Sequence, residues 1–385
     1  MPRNRLMTPG PVAVPERVQL AMARAVINHR SPAFLPVLKE VRAGLQQVFQ
    51  TRRDVVLLAC SGTGAMEAAV VNTLPPGSRA VVVRGGKFGE RWGELCEAYG
   101  VRPEYVDVEW GHAVHPDAVR AAFERVPDAG ALLVQASETS TGTYHPIREL
   151  AELVHERPGR LILVDGISGV GVHDLPMDEW GIDVLLSGSQ KSWLLPPGLA
   201  FIALSEAAEA LTNECPRPRF YFDLRKELKV QRENSTAWTP AVSLIVGLQE
   251  ALRMILEDGL ERVFERHRRF AESTRAAMLA LDLKLLSPNS PAYSCTAVHV
   301  PEGVDGKAFV RHLRDRYAIT VAGGQGELTG KIFRIGHMGD LDAFDVMTAV
   351  AAVEMGLADM HYPVKLGEGL RAAQDSLREW LAQGG

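Results

Sequence analysis

The stretch Asp183-Val184-Leu185-Leu186-Ser187-Gly188-Ser189-Gln190-Lys191-Ser192-Trp193 reads as a buried strand over 184–186 that opens into a small-residue turn and delivers a lysine. Leu194-Leu195-Pro196-Pro197-Gly198 follows, and then a second apolar run over 199–204. A lysine held between two strand-like segments is poorly solvated. Partial burial lowers an ammonium pKa, and a neutral amine is what attack on an aldehyde requires. An ordinary loop lysine can have the same neighbours, so the rest of the chain decides what Lys191 means.

Short apolar runs alternate with helical spacing from about residue 55 onward. The runs 55–59, 80–83 and 131–135 precede helices expected from Met66, Phe88 and Ile147, and the runs 161–164 and 184–186 complete the series. They are continuous rather than alternating, which predicts an α/β fold: a mainly parallel sheet covered on both faces. Ligands of such sheets sit at the carboxyl ends of the strands. Ahead of the series, residues 6–15 are rich in Pro and Gly and predict an extended arm, with helices expected over 15–25 and 35–50. Beyond Pro240 the pattern changes to two long helices (242–256 and 261–281), strand-like 297–300 and 332–335 around a helix at 306–317, and a last helix over 341–355. This predicts a smaller α+β domain. The chain is therefore expected to divide into an N-terminal arm (1–20), a large domain (21–257), a small domain (258–357) and an extension (358–385) carrying an amphipathic helix over 370–381.

Several motifs sit where strands end. Cys60-Ser61-Gly62-Thr63-Gly64-Ala65-Met66-Glu67 opens a helix with small residues, so free backbone amides there suit an anion, unless Thr63 simply caps the helix. The lysine of a P-loop and the third glycine of a dinucleotide fingerprint are missing, which disfavours nucleotides. Leu161-Ile162-Leu163-Val164-Asp165 ends a strand in a carboxylate. Beside Lys191 on a neighbouring parallel strand, that acid would hold the pyridine nitrogen of pyridoxal phosphate protonated, with the lysine as Schiff base and the glycine turn on the phosphate. Phe88, in Gly85-Gly86-Lys87-Phe88, can stack on a planar ring or fill core. Glu138-Thr139-Ser140-Thr141-Gly142 and Ser235-Thr236-Ala237-Trp238-Thr239-Pro240 offer hydroxyls or plain turns. Arg334, inside the apolar run Ile332-Phe333-Arg334-Ile335-Gly336, suits a carboxylate if it is semi-buried. Asn28-His29-Arg30-Ser31-Pro32 is a loop whose bases face a site or water.

The chain has 385 residues, 46% of them hydrophobic and 23% charged, enough for a soluble protein of about two domains. A net charge of -5 without long charged blocks points to neither nucleic acid nor anionic lipid. Cys60, Cys96, Cys215 and Cys295 are too scattered for a metal site or a disulfide framework, which suits a reducing cytoplasm. No secretory h-region, peroxisomal tripeptide or membrane-length apolar run is expected, and no metal.

Ser61-Gly62-Thr63-Gly64, Val164-Asp165-Gly166, Ser187-Gly188-Ser189-Gln190-Lys191 and Phe333-Arg334-Ile335-Gly336 together resemble the class V pyridoxal-phosphate aminotransferases, nearest the alanine–glyoxylate, serine–pyruvate and serine–glyoxylate branch. Bacterial proteins called soluble-hydrogenase subunits look similar too. Thr8-Pro9-Gly10-Pro11 and His29-Arg30-Ser31-Pro32 share the likeness, which covers residues 6–357. It implies the type I fold of pyridoxal-phosphate transferases, with Lys191 bonded to the cofactor and Asp165 at the pyridine nitrogen. Phe88 and Ile167 would flank the ring, Thr139 would lie on the phenolate side, and Thr63, Gly64, Ala65 and Gln190 would surround the phosphate. Arg334 would bind substrate carboxylate, with Asn28 and His29 near the substrate. Thr236 and Thr239 would reach the phosphate of the neighbouring subunit of a homodimer. Relatives usually carry glycine where Asn28 stands and often asparagine where Gly86 stands. Transamination between alanine or serine and glyoxylate or pyruvate is the expected activity. A lyase, desulfurase or decarboxylase on the same cofactor, or a non-catalytic subunit of a larger complex, are its rivals. Cys295, in Ser294-Cys295-Thr296, looks more like core than like a desulfurase nucleophile.

Overall fold

The computed structural model describes residues 4–383; residues 1–3 and 384–385, the outermost parts of the expected arm and extension, lie outside the described residues. The chain enters through β1 (Arg5–Leu6), α1 (Glu16–Met22) and α2 (Phe34–Phe49). The alternating series follows as β2 (Val55–Leu58), α3 (Gly62–Thr73), β3 (Arg79–Arg84), α4 (Lys87–Ala98), β4 (Arg102–Asp107), α5 (Pro116–Arg125) and β5 (Ala131–Gln135). A small hairpin, β6 (Ser137–Glu138) and β7 (Thr143–Tyr144), leads to α6 (Ile147–His155), β8 (Leu161–Asp165), α7 (Met177–Trp180), β9 (Val184–Gly188) and β10 (Ala200–Leu204). Then come α8 (Glu206–Glu214), α9 (Leu224–Arg232) and α10 (Val242–Asp258). Gly259, at φ 83, breaks the path. Beyond it lie α11 (Leu260–Ala280), β11 (Cys295–His299), α12 (Gly306–Tyr317), β12 (Ile319–Thr320), β13 (Ala322–Gly323), β14 (Ile332–Gly336), α13 (Ala343–Asp359) and α14 (Glu368–Ala382).

The main sheet has the order β2-β10-β9-β8-β5-β3-β4. Pairs from β4 through β9 are parallel, whereas β10 is antiparallel to both β9 and β2. The reversal has a local cause. Only a short loop, the one carrying Lys191, separates β9 from β10, and a parallel return needs a crossover of a dozen residues or more. Strand β4 was not among the apolar runs because it is an edge strand, with only Val106 of its six residues buried. Two apolar layers cover the sheet. Leu38, Val41 and Leu45 of α2 meet Val83, Leu132 and Val164 on one face. Ala65, Met66 and Ala69 of α3 with Trp92 of α4 meet Val82, Leu133 and Leu163 on the other. Adjacent residues of one strand go to opposite layers, so the strands had to be apolar throughout.

The second, antiparallel sheet, β11-β14-β13, has its own core of Met278, Val298, Phe309, Phe333 and Val350. The arm belongs physically to this part: β1 pairs with β12, and Met7 is buried in the same core. The C-terminal segment is docked as well. Ala373 and Leu377 are fully buried, Trp380 meets Phe270 edge-on at 5.8 Å, and Glu354 accepts the amides of Gly367 and Leu370 at 2.9 Å. Among the described residues no helix is long and apolar enough to cross a membrane.

Leu377→Ala removes a fully buried side chain from the seam between α11 and α14. It should lower unfolding free energy in a denaturant titration by about 2–4 kcal/mol. A loss below about 0.5 kcal/mol, the range of surface substitutions, would show that the segment adds nothing to the fold.

Candidate active site

Strands β8 and β9 are parallel neighbours with Asp165 beside Leu186, so both present their carboxyl ends at one edge of the sheet. The serine-rich turn after β9 is a rigid holder. Ser189 Oγ donates to the Pro196 carbonyl (2.7 Å) and accepts from the Leu199 amide (3.1 Å). Ser192 Oγ donates to Val170 O at 2.6 Å, and the buried Trp193 ties its indole N–H to Ser187 Oγ at 2.7 Å.

Lys191 at the end of this turn is 8% exposed. Its Nζ donates to the carbonyl of Pro9 in the arm, and no carboxylate lies within ion-pair distance among the described residues. Gly10 has φ 113, and a Cβ there would stand 2.5 Å from Nζ, so only glycine lets the arm cross so closely. Burial brings the Lys191 pKa down to about 8; the Asp165 charge opposes the shift and Arg334 adds to it. Asp165 is also buried. Its Oδ1 accepts from the Ile167 amide at 2.8 Å, and Oδ2 accepts nothing among the described residues. Burial pushes this carboxyl up to about 7, against the Ile167 N–H. An N–H donor brought by a ligand would favour its ionised form.

Helix α3 begins at Gly62 with Ser61 in the cap position but no side-chain cap. Thr63 does not cap it; its Oγ1 accepts from Arg91 Nη1 at 3.3 Å. A Cβ on Gly62 would overlap Ile167, and one on Gly188 would come within 3.4 Å of the Gly62 nitrogen. The cradle is therefore made of glycine and small residues, Gly64 and Ala65 included, and its first-turn amides suit an anion. Beside it, Gln190 Oε1 is buried without a hydrogen-bond partner.

Phe88, the second residue of α4, is half-buried, with the Arg91 guanidinium 5.0 Å from its ring centroid. Thr139 is buried, its hydroxyl 3.5 Å from that of Ser168. The Thr139 carbonyl accepts from Arg334 Nη1 at 2.6 Å, while Arg334 Nε and Nη2 donate to Gly323 O at 3.0 and 2.7 Å. Arg334 is 5% exposed and meets no acid; burial lowers its pKa. Three of its five N–H donors rest on neutral carbonyls, which leaves two for an anion.

Thr236, Thr239, Asn28 and His29 do not join this cluster within one chain. The two threonines line a cavity with Leu57, Ala59, Tyr221 and Trp238, and Thr236 Oγ1 donates to Trp238 O at 2.8 Å. Asn28 and His29 lie on the turn between α1 and α2. Asn28 is exposed and accepts from the Arg30 amide at 2.8 Å, while His29 Nε2 and Ser31 Oγ are buried without partners. Conversely, three contributors went unread in the sequence: Pro9, Arg91 and Glu138. For Glu138 a signal existed, an acid set between an apolar strand and a Thr/Ser turn. Cys295 is fully buried on β11, with Sγ 3.7 Å from the Thr139 carbonyl, and burial raises its pKa. Among the described residues no cluster of His, Cys, Asp and Glu could hold a metal ion.

An amine of lowered basicity, a carboxylate awaiting an N–H, an uncapped helix start and an unpaired guanidinium fit an aldehyde on a phosphorylated pyridine. Comparison with known proteins agrees. The family described as Aminotransferase class-V matches residues 19–333. A soluble hydrogenase small subunit of Synechococcus sp. is 41% identical over 371 residues, covering 96% of this chain and 97% of its own. An L-aspartate–glyoxylate aminotransferase of Paracoccus denitrificans is 36% identical over 386 residues, covering 99% and 98%. The crystal structure of a ureidoglycine–glyoxylate aminotransferase from Bacillus subtilis superposes with TM-score 0.92 at 29% identity, covering 98% and 99%. The chain thus belongs to the class V aminotransferases, which carry pyridoxal phosphate on the type I fold.

Proposed function

We propose that the protein passes an amino group from a small amino acid, alanine or serine, to a small 2-oxo acid, glyoxylate or pyruvate. The observation that carries this reading is Arg334. It is a single buried guanidinium without an acid, held at fixed orientation by two carbonyls, with two donors left for one carboxylate. The glyoxylate in the names of two similar proteins supports the acceptor.

When bound, pyridoxal phosphate supplies an aldehyde that condenses with amines and a ring that accepts electrons from the substrate α-carbon. The large domain (21–257) contributes Lys191, which would hold the cofactor through its amine and, once freed, would carry the proton from the substrate α-carbon to the cofactor. Asp165 would hold a proton at the ring nitrogen. Phe88 and Ile167 would flank the ring, with Thr139 toward its phenolate side, and Thr63, Gly64, Ala65 and Gln190 would hold the phosphate. The small domain (258–357) contributes Arg334, the arm (1–20) covers Lys191, and the extension (358–385) braces the small domain. Cys295, fixed inside a strand, lacks the mobility a desulfurase nucleophile needs, which favours transamination.

The active unit in this reading is a homodimer in the cytoplasm. Phe220, Leu20 and Val26 are 77%, 63% and 73% exposed, large apolar side chains that a partner subunit would cover. Thr236, Thr239, Asn28 and His29, none of which hydrogen-bonds to Lys191 or Asp165 of its own chain, would complete the partner's site. All four cysteines are free, as a reducing compartment requires.

Arg334→Gln should lower kcat/KM for both substrates about 100-fold while the visible cofactor band stays in place. An unchanged KM would remove Arg334 from carboxylate binding, and Lys191→Ala retaining turnover would sink the reading altogether. In cofactor-free protein the rate of cofactor capture should rise with pH through a midpoint at about 8, where half of the Lys191 amine is neutral, and level off above it. An unperturbed lysine would keep gaining rate beyond pH 10. Phe220→Asp should give a monomer by light scattering, with weakened cofactor binding; a dimer of unchanged affinity would place the interface elsewhere.

A further inference from the structure

Helix α4, which carries Phe88, starts without a cap of its own: Gly86 in the cap position has no side chain to offer. The amides at its start are instead served from the β6 turn. Lys87 N donates to Ser140 Oγ at 3.1 Å, and Phe88 N and Gly89 N donate to Glu138 Oε2 at 3.1 and 3.0 Å. The other oxygen of Glu138 accepts from the Ser140 amide at 3.2 Å and from the Ser140 hydroxyl. One carboxylate thus takes four donors, none of them a cation, while fully buried. Gly86 makes the approach possible, since a Cβ there would lie 2.5 Å from both Glu138 Cγ and Ser140 Oγ. A neutral serine at the cap position would satisfy a helix start without burying a charge. A cap supplied from across the site, by an acid, therefore does something an ordinary cap would not.

What it does follows from its neighbours. Phe88 is the residue whose amide Glu138 grips, so only the two side-chain torsions separate the carboxylate from the position of the ring. Between Glu138 and Ser140 stands Thr139, whose carbonyl holds Arg334. We propose that Glu138 is a positioning residue: it sets Phe88 against the cofactor ring and, through the same turn, spaces that ring from the arginine that binds substrate. The proposal rests on the roles assigned to Phe88 and Arg334 above.

The test is a double-mutant cycle on the holoenzyme with Glu138→Gln, Phe88→Leu and the pair combined. It reads the dissociation constant of pyridoxal phosphate, the visible circular dichroism of the bound cofactor, the KM of both substrates and the melting temperature of the cofactor-free protein. The glutamine amide would face the Ser140 N–H donor to donor, so cofactor affinity should fall about tenfold to a hundredfold, with a weaker dichroic band. Phe88→Leu should do the same, and the double variant should be little worse than Phe88→Leu alone, because Glu138 acts through that ring. Multiplying fold-losses would overturn the proposal. So would a Glu138→Gln protein that melts earlier but keeps affinity, dichroism and KM, since that is a purely structural role. If Phe88→Leu changes neither affinity nor dichroism, the stacking role itself fails, and the proposal with it. Should Glu138→Gln not fold, Ser140→Ala, which removes the acceptor of the Lys87 amide, enters the same cycle with the same criteria.

Discussion

Lys191 is buried beneath Pro9 and Gly10, where its amine meets a neutral carbonyl instead of a carboxylate. At 4 Å and an effective dielectric of about 20, a single carboxylate would favour the ammonium by about 4 kcal/mol, close to three pKa units. That would more than cancel what burial achieves in bringing the amine to about 8. The fold brings an acid to the same sheet edge and still keeps it off the lysine. Parallel pairing does this: Asp165 ends β8 beside Leu186, while Lys191 lies beyond the end of β9 on a turn that the serine hydroxyls and Trp193 hold in one shape.

Two basic and two acidic side chains are buried in this region, yet no two of them form an ion pair among the described residues. Lys191 and Arg334 donate to backbone carbonyls, and Asp165 and Glu138 accept from N–H and O–H groups. Unpaired buried charge is costly unless something answers it. The four differ in what remains open. Arg334 has two spare donors and Asp165 a spare oxygen, so each is unfinished in the polypeptide alone. Glu138 is closed, with four donors in place. Open groups meet a ligand, and a closed one can act only by holding something else still.

The central features were legible because they are local. An apolar strand that ends in Asp165, another that runs into Ser-Gly-Ser-Gln-Lys, and a helix opened by small residues each state their chemistry within about ten residues. The mainly parallel α/β sheet followed from the alternation of apolar runs and helices; the type I fold came with the family resemblance, and the solved neighbour superposes nearly end to end. What stayed hidden is non-local. Glu138 and the start of α4 are fifty residues apart in the chain, and nothing near Glu138 says which amides it will take. Pro9 and Lys191 are 182 apart. The reversed strand β10 looks like its parallel neighbours because a strand buried on both faces is apolar whichever way it runs. The docking of α14 was half visible: its apolar stripe announced a buried face, but not that the face would be α11 and the edge of Phe270.

The arm shows how such non-local contacts combine. Its outer end is a strand, β1, paired with β12, and Met7 O accepts the amide of Gly336, two residues beyond Arg334, at 2.7 Å. Gly336 can have no side chain there, because a Cβ would overlap the carbonyl of Thr8. Two residues after Met7, Pro9 receives the Lys191 amine, and Thr8 Oγ1 closes the turn onto Pro11 O at 2.6 Å. The strand that carries the guanidinium and the loop that carries the amine are therefore joined through three residues of backbone, each end hydrogen-bonded. Such a short, fixed link cannot stretch by more than a fraction of its length. The carbonyl that meets the Lys191 amine is thus anchored from the strand of Arg334, two residues away along the arm, and not from the sheet that carries the lysine.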